Sequence, residues 1–488
     1  MSIFRSILIF LVSVATLASV GATRVESAWA GKSITDEQTK TLAGLVYLPV
    51  VEHSSTGEPA TRLRIHAPFF PDQVEFVETA VFWFGEVTPE LNYVDGRVAY
   101  TTEDLFLLLV IFDRRLWYDK TPAQSDLDSW DAVSVHLDLD GPASVVPGKR
   151  AYRFIGQLRW WEESAAYQAA YQGDGQGWQP TQAAFSTEAN WRGQGPNNDE
   201  DDRGWWLHFR IPFSSLGLSS SPPEGSQWGL AVVLHDRDQL NRDPIADQSW
   251  PVAVDSGRPL TWGRLSFGLP GYHPPRSSPS GSTIIRHKLN GAVVVDGQVG
   301  GGTNCGMGLD YFQEWGEANY SGAGQVNAQN QFDVADFPCF SKFYVTFPLG
   351  SIPPGKTILG ARLTLHQFGN AGGGQWGPAP SSLIQVSVAA RDWDETSLTW
   401  NNAPLATENV GRAWVGWLSE QPPWPGVARE WDVSRAVAEA YASGQPLRLV
   451  FYSADSARHS GKYFVSSDAG DWNAEGRPTL QVTWGELK

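Results

Sequence analysis

From about residue 98 onward the chain runs in short segments where apolar and polar residues alternate, broken by turn formers. Val133, Val135, Leu137 and Leu139 alternate with Ser134, His136, Asp138 and Asp140, which predicts a strand with one face on a core and one polar face. Leu105 to Phe112 is apolar at every position and predicts a central strand buried on both faces. Further strands are predicted at Trp205–Pro212, Trp228–Asp238, Lys342–Phe347, Ala361–Leu365, Ile384–Val388, Leu447–Phe451, Tyr463–Val465 and Arg477–Trp484. A helical period occurs near residues 433–443, where Asp432 can cap, Val433, Val437, Ala440 and Tyr441 share one face, and Gly444 stops the run. The pattern predicts an all-β chain with one short helix.

Residues 269–282 interrupt it with Leu-Pro-Gly-Tyr-His-Pro-Pro-Arg-Ser-Ser-Pro-Ser-Gly-Ser, a semi-stiff linker by its proline content. The expected organisation is therefore two β-sandwich, jelly-roll-like domains, at 31–268 and 283–488, joined by a Pro/Ser linker. Residues 1–30 read as a signal peptide. Arg5 precedes the apolar run Ile7–Val20, too short for a span, and Ala28-x-Ala30 offers a cleavage site, with Gly21-Ala22 an earlier option. No further stretch is long and apolar enough to cross a membrane, so the expected location is secreted. In an exported chain Cys305 and Cys339 are expected to form a disulfide.

Charge changes the list of partners. Residues 31–268 hold 19 Lys and Arg against 33 Asp and Glu, and residues 283–488 hold 14 against 19. Such a balance repels phosphate backbones and argues against nucleic acid. Composition points elsewhere: 23 Trp and 14 Tyr stand beside only 2 Met. Pyranose rings present an apolar C–H face and a polar rim, so a sugar site needs flat aromatic surface and a few fixed hydrogen-bonding groups.

Two resemblances sharpen this. Residues 393–404 read W-D-E-T-S-L-T-W-N-N-A-P after the strand holding Ile384, Val386 and Val388. With the I-P-P-G turn at 352–355, A-R-L-T-L at 361–365 and W-D-V-S at 431–434, they resemble the DNRLRE-type, family-96-like carbohydrate-binding domain. That family implies a non-catalytic β-sandwich. Residues 296–340, rich in Gly and Asn and carrying both cysteines, depart from its pattern. The N-terminal half resembles family-9-like carbohydrate-binding modules over about residues 75–268. The shared order is a strand ending in Asp113, Trp130-Asp131 before an acidic strand, Ile211-Pro-Phe leading to Leu216-Gly217, and a strand opening on Trp228-Gly229. This resemblance implies a sugar held between aromatic rings near loops, often with calcium close by.

A single indole is more often core than ligand. The candidates are those in loops or on polar strand faces: Trp160 and Trp161 before Glu162, Trp178 in a Gly-rich loop, and Trp206 sharing a face with His208 and Arg210, with His136 on the outward face of its own strand. Calcium could be held by Asp126, Asp128 and Asp131, whose alternate spacing suits it best, by the loop Asn197–Asp202, or by Asp236 and Asp238. Arg391, Arg412 and Arg429 are possible contacts for an anionic glycan in the second half. No G-x-S-x-G, H-E-x-x-H or phosphate-loop motif occurs. The expected function is a secreted, non-catalytic carbohydrate-binding protein acting on polysaccharide or oligosaccharide, with a separate glycoside hydrolase as a possible partner and calcium as the one possible cofactor. The competing classes are a part of a glycoside hydrolase system and a structural matrix or envelope protein.

Overall fold

The computed structural model describes residues 62–331 and 337–486, so the predicted leader lies outside the described residues. Among these, 24 strands form four mainly antiparallel sheets, and one α-helix spans Ser434–Ala442. Val433 and Val437 are buried and Ala440 and Tyr441 half-buried on the predicted face; the N-cap position is Val433, which has no side-chain cap, and Asp432 just before it accepts the Ser434 amide at 2.9 Å.

In the first half an eight-stranded sheet, with Ala132–Asp138 and Gln227–Asp236 in its middle, packs on a five-stranded sheet holding Tyr93–Tyr100, Asp104–Phe112 and Gly204–Pro212. Val133, Val135 and Leu137 meet Leu107, Leu109, Trp205, Leu207 and Phe209 in one core. In the second half a six-stranded sheet built on Lys356–Asn370 and Thr479–Glu486 packs on a five-stranded sheet built on Ser341–Phe347, Leu447–Ser453 and Ser382–Ala389. Phe343, Val345, Phe451, Leu363, Leu365 and Trp431 fill that core.

A third core lies between the two five-stranded sheets. Trp83, Tyr93, Leu108, Val110 and Phe112 from the first half pack against Trp315, Tyr344, Trp400, Val450 and Tyr452 from the second. This accounts for the strand that is apolar on both faces. Leu107, Leu109 and Ile111 point into their own sandwich, while Leu108, Val110 and Phe112 point into the seam. It also locates the W-D-E-T-S-L-T-W motif: Trp400 is buried in the seam and Trp393 packs at its side. Each large side chain so buried contributes about 1.5–3 kcal/mol.

The stretch 269–282 is only partly a connector. Tyr272 donates its hydroxyl to Ile358 O at 2.7 Å, and the strand Pro279–Arg286 begins inside it, paired with Thr479–Glu486. Halves joined by a small polar contact drift apart once the connector is cut, whereas an apolar seam holds them. Limited proteolysis between Leu269 and Ser278 is therefore expected to give two bands on a denaturing gel and one peak in native size exclusion. Two separate native peaks would show that the seam is not a core.

Cys305 and Cys339 are disulfide-bonded. The bond ties the Gly-rich turn after Gly302–Asn304 to the start of Ser341–Phe347, beside the seam residues Trp315 and Phe340. Closing a loop of this length stabilises by about 3–4 kcal/mol in the chain-entropy model. Paired Cys305→Ser and Cys339→Ser substitution is expected to lower the melting temperature by several degrees in calorimetry. An unchanged melting temperature would mean that the loop is held without the bond.

Candidate functional site

Three aspartates meet at one end of the first sandwich. Asp113 follows Asp104–Phe112, Asp131 precedes Ala132–Asp138, and Asp236 ends Gln227–Asp236. The last two strands are antiparallel hydrogen-bonded neighbours with Ala132 opposite His235, so one step further along the same register Asp131 falls opposite Asp236; Asp113 reaches them from the facing sheet. All three side chains are buried, and one oxygen from each lies within 4.8 Å of the others. Asp131 accepts the amides of Trp117 (2.6 Å) and Arg237 (2.9 Å). Asp113 accepts the Arg115 amide (2.9 Å) and the Trp205 indole N–H (3.1 Å). Among the described residues neither oxygen of Asp236 meets a donor at hydrogen-bond geometry, although the equally unpartnered Asn92 amide lies close enough to favour its anion.

Burial, then mutual repulsion, holds Asp113 and Asp131 well above the ordinary carboxylate range. Burial and the neighbouring Asp238 push Asp236 up to about 8, and burial lifts Asp238 itself to about 6 despite Arg115 and Arg114. An oxygen-only set with unsatisfied lone pairs at one point suits a hard divalent cation, calcium above all. Of the sequence candidates, Asp131 and Asp236 belong to this trio, and Asp238 stands beside it. Asp128 instead pairs with Arg153 at 2.7 Å, and Asp126 precedes the turn Leu127–Ser129. The loop Asn197–Asp202 contributes Asp201 to Arg114 and Asn197 Oδ1 to the Tyr118 amide.

The loop that carries Trp117 leads directly to the indoles. Tyr118 donates its hydroxyl to Glu162 Oε1 at 2.8 Å, and Glu162 Oε2 accepts the amides of Trp160 (2.8 Å) and Trp161 (3.0 Å). One carboxylate thus holds the Trp160–Trp161 turn. Trp160 is half-buried and meets Trp191 at 5.0 Å between ring centres. Gly195, at φ +114°, lets the chain pass the Trp160 ring, where a Cβ would lie 3.1 Å away. Trp161 is 81% exposed. The arrangement presents one free indole and two supporting ones on a rigid turn.

The other candidates lie elsewhere. Trp178 stacks parallel to the buried Trp262 at 6.3 Å, and both cover His136, which is fully buried. Burial, with Arg153 and His235 nearby, keeps His136 well below its ordinary pKa, so it is neutral packing. Trp206, His208 and Arg210 do share a face, but it is the seam face. Trp206 packs at the margin of the seam, His208 stacks on Phe106 at 5.7 Å, and Arg210 binds Asp104 at 2.7 Å beside an open groove. Among the C-terminal arginines, Arg391 donates to Asn402 O and Arg429 to Gln367 Oε1.

One constellation has the hydrogen-bond order of an acyl-transfer triad: Ser134 Oγ to His235 Nε2 at 2.8 Å, and His235 Nδ1 to Asp247 Oδ1 at 2.8 Å. Ser134 is fully buried, and Arg153 donates to its hydroxyl at 3.2 Å. It sits mid-strand with ladders on both sides, which occupy the backbone N–H groups an oxyanion would need. The trio reads as a satisfied polar network on a sheet face.

The model of carbohydrate-binding module family 96 matches residues 312–483. No curated protein matches the chain. Among solved structures, the chain is similar to a carbohydrate binding module family 9 from Caldicellulosiruptor kristjanssonii in complex with cellotriose, at 15% identity over 42% of this chain and 93% of that one, with a TM-score of 0.30. A second structure of a family 9 module from the same organism, in complex with glucose, is similar at 14% identity over 43% of this chain and 100% of that one, with a TM-score of 0.29.

Proposed function

We propose that this chain is a secreted, non-catalytic carbohydrate-binding protein whose first sandwich takes a polysaccharide or oligosaccharide at the Trp160–Trp161–Trp191 corner. The observation that carries the reading is Trp161, whose indole stays 81% exposed while its turn is fixed by Glu162 and Tyr118. A large exposed indole held in one place marks a contact surface. Its flat face suits the C–H face of a pyranose, and the exposed Glu162 carboxylate beside it, held by the buried Tyr118, suits hydroxyl groups. Calcium at Asp113, Asp131 and Asp236 would brace the Trp117–Tyr118 loop on which Glu162 depends. The disulfide and the predicted leader support secretion, and a separate glycoside hydrolase is the partner that such a binding module would serve.

Trp161→Ala is expected to weaken retention on an oligosaccharide or soluble polysaccharide by roughly tenfold or more. Wild-type affinity for a short oligosaccharide is expected between about micromolar and millimolar. Isothermal titration of wild type and variant checks both. Equal affinities would move the site away from this corner.

A further inference from the structure

Among the described residues, two of the most exposed indoles touch each other. Trp424 is 48% and Trp472 71% exposed, and their rings meet edge to face at 4.9 Å and 85°. The row continues along the outer face of the six-stranded sheet: Phe368 lies 5.8 Å from Trp424, and Tyr463 lies 6.4 Å from Phe368. Phe368 and Tyr463 are half-buried, so the row rises from the sheet surface to the two projecting indoles.

We propose that this row is a second glycan-binding site, taking a pyranose chain laid across the rings, so that the protein grips a polysaccharide at two places. The proposal rests on the carbohydrate-binding reading of the whole chain and adds a site to it.

The rings are held on built supports. Gly426, at φ +104°, brings the Trp424 turn against the strand Lys356–Asn370, where a Cβ would lie 2.7 Å from Gln367 O. Gly470 leaves room for the Trp472 ring, which would be 2.7 Å from a Cβ there. The turn bearing Trp472 is clamped by the buried Arg477, which donates to Ala469 O at 2.6 Å and pairs with Asp471. Lys288 holds Asp471 from the other side at 3.0 Å. An exposed ring fixed in this way loses little freedom when a ligand stacks on it.

One hydroxyl partner stands beneath the Trp424 turn. His366, under the Trp424 turn, has Nδ1 3.2 Å from Gly476 O, so Nδ1 carries the proton and Nε2 offers a lone pair. Two indoles meeting at a right angle give one ring for stacking and one to close the side, an arrangement suited to a ring-shaped ligand with two apolar faces. All four rings fall within residues 312–483, the stretch that matches the family 96 model. The first-half corner and this row stand on sandwiches joined by the seam, so binding at one raises the effective concentration at the other on a long polymer.

Affinity electrophoresis of the full chain separates the two sites. Gels would contain hydroxyethyl cellulose, xylan, glucomannan or polygalacturonate, and the proteins would be wild type, Trp161→Ala, the pair Trp424→Ala with Trp472→Ala, and Gly470→Val. The paired variant is expected to lose roughly tenfold or more retardation on at least one polymer, with Gly470→Val shifted in the same direction. On that polymer Trp161→Ala should keep part of its retardation. A paired variant that migrates like wild type in every gel overturns the second site; loss by Trp161→Ala in the same gels would leave the first standing. Wild type that is retarded nowhere overturns both.

Discussion

Asp95→Ala is expected to destabilise the protein by about 3–5 kcal/mol, the range for stripping a buried ion pair of one partner. Asp95 is fully buried in the seam, where Asn330 Nδ2 donates to it at 2.6 Å and the Tyr452 hydroxyl at 2.9 Å. Two buried cations depend on its charge. Arg97 lies 3.8 Å away with no side-chain hydrogen bond among the described residues, and Lys342 is enclosed by rings, its Nζ 4.1 Å from the centre of Trp400 and 4.4 Å from that of Trp83. Burial raises the Asp95 pKa, with Arg97 as the chief opposing influence, and burial pulls Lys342 well below its ordinary value, with Asp95 opposing. Removing the carboxylate leaves both cations buried without a counter-charge. Lys342→Met should cost far less, because the cation and its desolvation penalty vanish together inside an apolar cage. Urea unfolding of both variants checks this. Equal losses would mean that the rings alone, not the charge balance, hold the seam.

Calcium is expected to raise the melting temperature by several degrees at pH 8, and by much less at pH 5. With no cation, burial and mutual repulsion raise all three aspartate pKa values in the fold, so the folded protein binds protons more tightly than the unfolded chain. Their ordinary pKa is about 4, and Asp236 is pushed up to about 8 by burial and Asp238. A raised folded pKa contributes stability that is present below the unfolded value and lost as pH rises through the folded one. The cation-free protein should therefore weaken between about pH 4 and pH 8. Calcium binds the deprotonated trio and offsets that loss, and a hundredfold excess over the dissociation constant is worth about 2.7 kcal/mol. Asp236→Asn removes the carboxylate that has no hydrogen-bond partner among the described residues, so it should stabilise the protein in chelator and abolish the calcium response. Differential scanning calorimetry in chelator and in calcium decides it; a wild type indifferent to calcium at pH 8 would rule the cation out.

Local periodicity made much of the fold legible. It located the buried strand at 105–112, the inward row Val133, Val135 and Leu137, the helix after Asp432, and the common face of Trp206, His208 and Arg210. What it could not convey is which second surface covers a face. Asp95 and Arg97 alternate like solvent-facing residues, yet they are buried by Tyr452 and Asn330, more than 200 positions away. The aspartate trio was half legible. Alternate spacing groups Asp131 with Asp126 and Asp128, and strand-end position groups Asp236 with Asp238, so local pattern puts the two in different sets, and the partner at Asp113 comes from the facing sheet. Trp178 shows the opposite limit: a Gly-rich loop suggested exposure, whereas its ring stacks parallel to the buried Trp262 and packs tilted against His136. Trp472 was passed over because nothing in the sequence around Asp471 and Asn473 separates a projecting indole from a buried one.

The central claim, that this chain binds carbohydrate through exposed indoles, is tested most directly by a pull-down on insoluble cellulose, xylan and mannan. The full chain would be compared with a variant carrying Trp161→Ala, Trp424→Ala and Trp472→Ala together. These rings are exposed, so the variant should melt within a few degrees of wild type. The predicted result is that wild type partitions to at least one polysaccharide and the triple variant stays in the supernatant. Wild type in the supernatant throughout, or a triple variant that binds as wild type does, would contradict the account.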